Sequence, residues 1–443
     1  MAASRFRRRV FLGHAGALGL AATAGIRTAS SAAVAGANER LVVALIGCGG
    51  QGKHVGKAFM TLPNVEVAYA CDPDSARAGQ AKEAVKAGAS VADLRRVLDD
   101  KRVDAVIIAT PDHWHAPAAI MACEAGKHVY VEKPCSHSLR EGRLLLDAAR
   151  RRSVVVQHGT QSRSNPFVAD AVQLVREGAI GEVLVAKAWN VQTRDNIGHM
   201  QPSDPPPGVD YDLWVGPAPF APFQANRFHY NWRWWYSFGN GDIGNDGMHE
   251  LDYARWGLGV DGLPTSIAGV GGKYFMDDDQ QFPDTATLVF EYAGDGQKQE
   301  KQKPRQLIFE MRLWSKTYPH NCDCGAEFYG TKGQLFVSKR GKVELRDEKN
   351  KQVEIKTRSV PNPIAEHAAD FIAAIKEGRR PKADIEEAYR SAALVHLGNT
   401  AVQLGRSLKF DPATNRAVGD AEADRLLDGS YRDGHWAVPQ SPA

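Results

Sequence analysis

A glycine-rich turn between two apolar segments constrains the fold more than any other feature of the sequence. Residues 41–46 (LVVALI) have the pattern of a strand buried on both faces, and residues 47–52 (GCGGQG) follow directly in the spacing G-x-G-x-x-G. A helix over about 51–61 and a second strand over 65–71 come next, and that strand ends at Asp72. Strand, glycines, helix, strand and acid in this order predict a dinucleotide-binding domain.

Each part of this unit has a physical role in binding a dinucleotide. Gly47 permits the tight turn, Gly49 lets the backbone approach the pyrophosphate, and Gly52 lets helix and strand pack closely. The helix start offers free N–H groups to phosphate, and Asp72 can accept a bond from the ribose 2′-hydroxyl, which favours NAD over NADP although Arg77 lies nearby. A glycine turn in an unrelated α/β protein is the alternative. The candidate cofactor-binding residues here are Gly47, Gly49, Gly50, Gln51, Gly52 and Asp72.

Strands and helices continue to alternate after this unit, which predicts a parallel sheet. The predicted strands cover 104–109, 128–131 and 154–156, and the predicted helices cover 116–125 and 140–151. Ligands of such sheets bind beyond the carboxyl ends of the strands. Two segments follow strand ends there, and their candidate cofactor-binding residues are Thr110, Pro111, His113, His115, Glu132, Lys133 and Pro134.

The glycine loop, the segment 110–115 and above all Glu132-Lys133-Pro134 resemble the Gfo/Idh/MocA oxidoreductases, which include glucose–fructose oxidoreductase and inositol dehydrogenase. The resemblance covers about residues 41–411. It implies an α/β protein with an N-terminal Rossmann domain (40–160), a C-terminal α/β domain with a large, mostly antiparallel sheet (161–411) and a C-terminal tail (412–443). It also implies a homo-oligomer formed through that sheet.

The second half of the chain fits this plan. Residues 201–208 are proline-rich and predict a loop, and 298–303 predict a charged hairpin tip. Segments rich in β-branched and aromatic residues predict strands, and two late segments predict helices. The predicted strands are 183–189, 266–274, 285–292, 306–313, 326–330, 335–338, 343–345 and 353–355, and the helices are 366–376 and 385–404.

The resemblance also implies catalytic residues. The lysine of Glu-Lys-Pro is Lys133, and residues 244–252 (GNDGMHELD) match the helix that carries the family's histidine, here His249. His249 is the candidate base, with Lys133 orienting the substrate hydroxyl. Many relatives have aspartate four residues before the histidine, whereas this chain has Asn245, which can bond a hydroxyl but cannot stabilise an imidazolium by charge. Lys133 as an ion-pair partner and His249 as a buried structural histidine are the alternatives.

Aromatic density indicates the class of substrate. Five of the nine tryptophans lie between residues 189 and 235. Aromatic rings cover the C–H faces of sugars, but a core or a subunit interface would show the same enrichment. The candidate substrate-binding residues are Asn245, Asp246, His249, Arg233 and Trp235. No metal site is expected: His113 and His115 fit a role beside the nicotinamide better, and His320-x-Cys322-x-Cys324 lacks zinc-ligand spacing.

The N-terminus predicts export. Residues 1–38 contain five arginines and no acid, with residues 8–12 (RRVFL), an apolar stretch and an A-x-A pattern at 33–35 in order. This order predicts a twin-arginine signal peptide over 1–37 and a periplasmic or other extracytoplasmic location, a basic tail being the alternative. Removing five positive charges from the net +3 leaves about −2. A near-neutral chain without a further long apolar run predicts neither a nucleic-acid partner nor a membrane span.

These features predict an NAD(P)-dependent oxidoreductase that transfers a hydride between a secondary alcohol of a sugar, polyol or glycoside and a nicotinamide. Because NAD is recycled in the cytoplasm, an exported enzyme should hold its nucleotide tightly and regenerate it within its own cycle. An NAD-dependent glycoside hydrolase or lyase, which uses transient oxidation and elimination, is the alternative. A non-enzymatic protein that binds sugar and NAD is a third hypothesis, against which Lys133 and His249 argue.

Overall fold

The glycine-rich turn lies between a fully buried strand and a helix, at the centre of a six-stranded parallel sheet. The computed structural model describes residues 40–294, 303–360 and 362–440. All six residues of the first strand are buried because helices cover both faces of the sheet. The elements are β1 Leu41–Ile46, α1 Gly50–Met60, β2 Val65–Cys71, α2 Ser75–Ala84, β3 Ala89–Val91, α3 Leu94–Asp99, β4 Ala105–Ile108, α4 Asp112–Glu124, β5 His128–Val131, α5 Leu139–Arg152 and β6 Val156–His158.

The strands of this first sheet are arranged in the order β3-β2-β1-β4-β5-β6. The predicted strands 41–46, 65–71 and 128–131 have the predicted bounds, whereas the last strand lies two residues later than predicted. Helix α4 begins four residues before its predicted start, directly after Pro111, so that residues 112–115 form its first turn. The elements α2, β3 and α3 were not predicted.

A second, ten-stranded sheet forms the C-terminal half. Its strand order is β14-β13-β12-β11-β7-β10-β9-β8-β15-β16, and every pairing except β7 with β10 is antiparallel. The elements are α6 Pro166–Arg176, β7 Val183–Asn190, α7 Tyr211–Val215, α8 Gly241–Asn245, α9 Gly247–Leu258, β8 Ser266–Gly272, β9 Thr285–Tyr292, β10 Arg305–Arg312, β11 Cys324–Gly330, β12 Gly333–Ser338, β13 Lys342–Asp347, β14 Gln352–Val353, α10 Pro363–Glu377, α11 Ile385–Leu404, β15 Leu408–Asp411, β16 Arg416–Ala417 and α12 Ala421–Asp428.

The predicted α/β fold with a Rossmann sheet and a mostly antiparallel sheet is confirmed. Residues 201–208 form a loop without helix or strand. Residues 412–443, which the sequence predicts as a C-terminal tail, contain β16 and α12. Helix α12 packs against α5 and α11. Residues 298–302 of the predicted hairpin tip and the predicted signal peptide, 1–37, lie outside the described residues. Oligomerisation through the second sheet stays a prediction.

Helices from the end of the chain complete the first sheet's outer layer. Helix α10 packs against α1, where the ring of Phe371 lies 5.9 Å from Phe59 and 6.2 Å from Tyr130. Helix α11 packs against α5 of the first half and against β8 of the second sheet. The two halves therefore share buried surface, although the sequence divides them near residue 160.

No helix in the described part of the chain is long and apolar enough to cross a membrane. Within the same residues, no three His, Cys, Asp or Glu side chains are grouped as metal ligands would be. The ring of His320 stacks against those of Phe336 and Trp189 and lies 3.3 Å from carboxylate oxygens of Glu327 and Glu344. These packing and carboxylate contacts are consistent with a structural role for His320.

The glycine loop generates a stability prediction. A Cβ added at Gly52 would lie 2.0 Å from the carbonyl oxygen of Gly47, whereas a Cβ added at Gly50 would meet nothing within 4 Å. We expect Gly52→Ala to lower the free energy of unfolding by about 2 kcal/mol or more, because the helix must move away from the turn. Gly50→Ala should be neutral or slightly stabilising, since alanine favours helix.

Denaturant unfolding of the nucleotide-free protein measures both effects. Equal midpoints for Gly52→Ala and Gly50→Ala would show that close packing of α1 on the turn does not limit stability.

Candidate active site

The carboxyl ends of the central strands of the first sheet open into a cleft of about 540 Å³. The glycine loop lines one part of it, and the first turn of α9 lines another. Of the candidate residues from the sequence, the cleft is lined by Gly47, Gly49, Gly50, Gln51, Asp72, Thr110, Pro111, His115, Glu132, Lys133, Arg233, Asn245, Asp246 and His249.

Lys133 follows β5 and its side chain bridges to the second half of the chain. The ammonium donates hydrogen bonds to the backbone oxygen of Asn245 and, at 3.3 Å, to its Oδ1. Burial lowers the pKa of Lys133, although the carboxylates of Glu132 and Asp246 oppose this shift. The lysine is therefore a charged donor that gives up its proton more readily than an exposed lysine.

His249 is half-buried in the first turn of α9 and lines the cleft wall. Its Nδ1 has no hydrogen-bond partner among the described residues. Burial, together with the charges of Lys339 and Lys133, holds the pKa of His249 well below its ordinary value. The imidazole is thus neutral at neutral pH and can accept a proton.

Asn245 and His249 belong to different helices. The spacing in the sequence suggests one helix with the two residues a turn apart, but α8 ends at Asn245 and α9 begins at Gly247. A Cβ at Gly247 would lie 2.5 Å from the ring of Phe309, so α9 starts where close packing on β10 requires glycine. Asn245 donates to Oδ1 of Asp242 at 2.8 Å, and this fixes its amide beside Lys133.

Asp246 is the centre of an ion-pair network that the sequence did not reveal. Its Oδ1 accepts from Lys339 at 2.5 Å, and its Oδ2 lies 3.3 Å from the guanidinium of Arg194. Burial alone would raise the pKa of Asp246, but the ammonium of Lys339 holds it well below its usual range. Lys339 also lies 3.0 Å from Glu250, whose pKa burial raises to about 7.

Arg194 and Lys339 each come from the C-terminal side of a strand in the second sheet, β7 and β12. Neither belongs to a local motif, so only the sheet topology brings them to Asp246. Arg194 also pairs with Asp242 at 3.1 Å.

Glu132 joins the glycine loop to the Glu-Lys-Pro segment. Its Oε1 accepts from Nε2 of Gln51 at 2.9 Å and from Nε2 of Gln161 at 3.1 Å. The ring nitrogens of His115 lie 2.6 Å from the backbone oxygen of Pro134 and 2.9 Å from that of Thr110. These contacts fix the positions of both segments at the strand ends.

Asp72 is held by the backbone of the glycine loop. Its two oxygens accept from the N–H groups of Cys48 at 2.8 Å and Asp74 at 2.9 Å. Each oxygen retains a lone pair for a further donor. Burial raises the pKa of Asp72, although those two bonds oppose the rise. With the open backbone at Gly50, this arrangement fits the pyrophosphate and ribose of a dinucleotide.

Four predicted site residues do not line the cleft, namely His113, Trp235, Gly52 and Pro134. The ring of His113 lies 3.0 Å from the backbone oxygen of Trp214 and 3.4 Å from that of Phe238, so it points into the protein rather than towards a cofactor. Trp235 is buried, and the guanidinium of Arg227 covers its ring at 4.2 Å. Trp232 lines the cleft instead. Gly52 and Pro134 also lie outside the lining and act through packing and hydrogen bonding.

Arg233 faces the cleft without a carboxylate partner. Its Nε donates to the backbone oxygen of Tyr230 at 2.9 Å, and its guanidinium lies 3.7 Å above the ring of the same residue. Within the described residues, no carboxylate oxygen lies within 4 Å of it. The remaining N–H groups can therefore bind substrate oxygens.

Both halves of the chain match family models. Residues 41–160 match the Gfo/Idh/MocA model described as an oxidoreductase family with an NAD-binding Rossmann fold. Residues 182–311 and 320–438 match the model of the C-terminal alpha/beta domain of that oxidoreductase family. The prediction of an NAD(P)-dependent oxidoreductase is confirmed by these matches.

Curated relatives include scyllo-inositol 2-dehydrogenase (NAD(+)) of Bacillus subtilis, 27% identical over 66% of this chain and 72% of that enzyme. Levoglucosan dehydrogenase of Pseudarthrobacter phenanthrenivorans is 30% identical over 50% of this chain and 52% of its own. Glycosyl hydrolase family 109 protein 1 of Shewanella sp. (strain ANA-3) is 31% identical over 41% of this chain and 45% of its own. The chain thus spans about half the length of the last two.

A solved structure of levoglucosan dehydrogenase in complex with NADH and levoglucosan has the same fold. The TM-score is 0.65 with 21% identity, over 84% of this chain and 99% of that one. The chain therefore belongs to the Gfo/Idh/MocA family and is an NAD-binding oxidoreductase with the two-sheet fold of its relatives.

Proposed function

We propose that this protein transfers a hydride between a secondary alcohol of a sugar, polyol or glycoside and a tightly bound nicotinamide nucleotide. One observation carries the proposal: the ammonium of Lys133 and the imidazole of His249, whose Nδ1 has no hydrogen-bond partner among the described residues, line one cleft with the glycine loop. The inositol and levoglucosan dehydrogenases among the relatives support the substrate class.

The bound nicotinamide supplies a hydride acceptor for the carbinol carbon. The protein must bind the hydroxyl, take its proton and stabilise the oxygen as negative charge develops. Neutral His249 accepts the proton, and the ammonium of Lys133 donates a hydrogen bond to the oxygen. Asn245 fixes the ammonium through two hydrogen bonds, so that Lys133 is oriented before substrate binds.

This chain has Asn245 where many relatives have aspartate, and the carboxylate of the next residue, Asp246, partly replaces the missing charge. Asp246 faces His249 closely enough to favour its protonated form, although burial and two lysines oppose this. The positive charges of Lys339 and Arg194 compensate the carboxylate of Asp246, which limits how strongly it favours the imidazolium. This balance keeps His249 neutral in the resting site and lets it carry a proton transiently.

We further propose that the protein is exported through its N-terminal arginine signal with NAD already bound. The enzyme then regenerates its bound nucleotide in each catalytic cycle instead of exchanging it with free nucleotide. It does so either by oxidising one sugar and reducing another or by oxidising and then reducing the same glycoside. The similarity to a family 109 glycosyl hydrolase favours the second cycle as the alternative function. A non-enzymatic binding protein would have no use for the Lys133–His249 pair.

The pH dependence of kcat/KM tests the roles of the two residues. Below its lowered pKa, His249 is protonated and no longer accepts a proton, so activity falls at a pH under the ordinary imidazole value of 6.5. Above its lowered pKa, Lys133 loses its proton. Activity therefore falls again as the pH rises, and this second fall begins at a pH lower than the ordinary lysine value of 10.5. We expect a bell-shaped profile from initial rates.

His249→Asn should lower kcat by about 100- to 10,000-fold and remove the acidic limb. The control is His54→Asn, because His54 is exposed on α1 outside the cleft. An unchanged acidic limb in His249→Asn would mean that another group is the base.

Asp72→Asn tests the preference for NAD over NADP. The amide retains an oxygen for the loop N–H groups but removes the charge that would repel a 2′-phosphate. We expect the ratio of the two dissociation constants, measured by titration calorimetry, to move about tenfold or more towards NADP. A constant ratio would assign the discrimination to Arg77 or to backbone contacts.

Hydrogen exchange tests the closed cycle. Nucleotide released by denaturing the purified protein is identified first, and the intact protein is then incubated with sugars and glycosides in D₂O. We expect deuterium at a ring carbon beside the transient ketone, without net NADH, and no exchange in Lys133→Ala. Aglycone release would select the hydrolase. Stoichiometric NADH formation with no bound nucleotide would instead show an ordinary dehydrogenase.

A further inference from the structure

The last described segment of the chain returns to the nucleotide-binding half. After α12, Tyr431 donates from its hydroxyl to Glu141 at 3.1 Å, and the N–H of Arg432 donates to the oxygen of Pro217 at 2.8 Å. Arg140 donates to the backbone oxygen of Pro439 at 3.4 Å. Residues 431–439, which we call the return segment, are thus fixed on both sides of Trp436.

Trp436 lies at the edge of the cofactor cleft and is 40% exposed. The guanidinium of Arg95 covers its ring at 4.3 Å, and the ring of Trp114 lies 5.8 Å away. A cation over an aromatic face orders the ring. This arrangement leaves apolar surface of a fixed ring open to the cleft.

The order of the strands shows which end of the cleft Trp436 occupies. Ala92 and Leu94 line the cleft after β3 and directly precede Arg95, whose guanidinium covers Trp436, whereas Lys133 follows β5. The strands β3 and β5 lie on opposite sides of β1, from which the glycine loop extends. Trp436 therefore lies beyond the pyrophosphate loop and Asp72, away from the acid/base pair.

We propose that Trp436 forms a wall of the adenine site and that the return segment thereby retains the nucleotide. This inference rests on the proposed binding of a nicotinamide dinucleotide. When the nicotinamide lies near Lys133 and the ribose near Asp72, the adenine reaches the end lined by Leu94 and Trp436. A base in contact with an aromatic side chain gains about 1–3 kcal/mol. The nucleotide leaves only after this contact breaks, so the contact slows its release.

Ligands that contain only part of the dinucleotide test the inference. We expect Trp436→Ala to raise the dissociation constants of NAD and ADP-ribose by about 5- to 150-fold, which corresponds to the stacking energy. Nicotinamide mononucleotide has no adenine and should bind as it does to the unaltered protein. Trp436→Phe should keep most of the affinity, and NAD should leave Trp436→Ala faster on dilution.

Trp314→Ala is the matched control. Trp314 is 38% exposed, stacks on Phe275 at 5.7 Å and lies outside the cleft lining, so its loss should leave all three affinities unchanged. Unchanged binding of ADP-ribose to Trp436→Ala would overturn the inference. Equal loss of ADP-ribose and mononucleotide binding would also overturn it, because Trp436 would then act only through folding.

The two proposals fail separately. If the protein binds ADP-ribose through Trp436 but oxidises no alcohol, the adenine site is supported and the proposed function is contradicted. If the protein turns over substrate and Trp436→Ala binds the nucleotide as tightly as the unaltered protein, the function is supported and the adenine wall is contradicted. A protein that binds neither NAD nor ADP-ribose contradicts both.

Discussion

The active site depends on one bridge between the two sheets. Lys133 follows β5 of the first sheet, and its ammonium donates to both oxygens of Asn245, at the end of a helix in the C-terminal half. Because the lysine is half-buried, these bonds satisfy donors that would otherwise cost free energy. Any shift of one half relative to the other would break these hydrogen bonds. The geometry of the site therefore depends on the relative position of the two halves.

The bridge also determines the electrostatics around it. Lys133 and Lys339 both disfavour the imidazolium of His249, while Asp246 favours it. Arg194 and Lys339 pair with Asp246, and Glu250 has a raised pKa, so most of the buried charge is compensated within the protein. A site with this balance does not require a charged substrate, which agrees with an alcohol that is uncharged before and after oxidation.

The sequence predicted the parts of the site that belong to local motifs. The glycine loop, Asp72 and Glu132-Lys133 are each tied to a strand end, so their positions follow from the alternation of strands and helices. Arg194 and Lys339 could not be predicted, because single residues that follow β7 and β12 meet only through the pairing of a large sheet. His113 and Trp235 do not line the cleft, because residue spacing does not determine where a side chain points at a helix start or after an irregular turn.

The end of the chain makes the two halves one folding unit. Phe371 of α10 buries Phe59 and Tyr130 of the first half, and each large side chain buried in this way contributes about 1.5–3 kcal/mol. A nucleotide bound at the first sheet stabilises the folded state by an amount that grows with its affinity. Because α10 follows the second sheet in the chain and packs against α1 of the first half, that stabilisation extends to the C-terminal half. Binding of the cofactor and folding of the C-terminal half are therefore thermodynamically coupled.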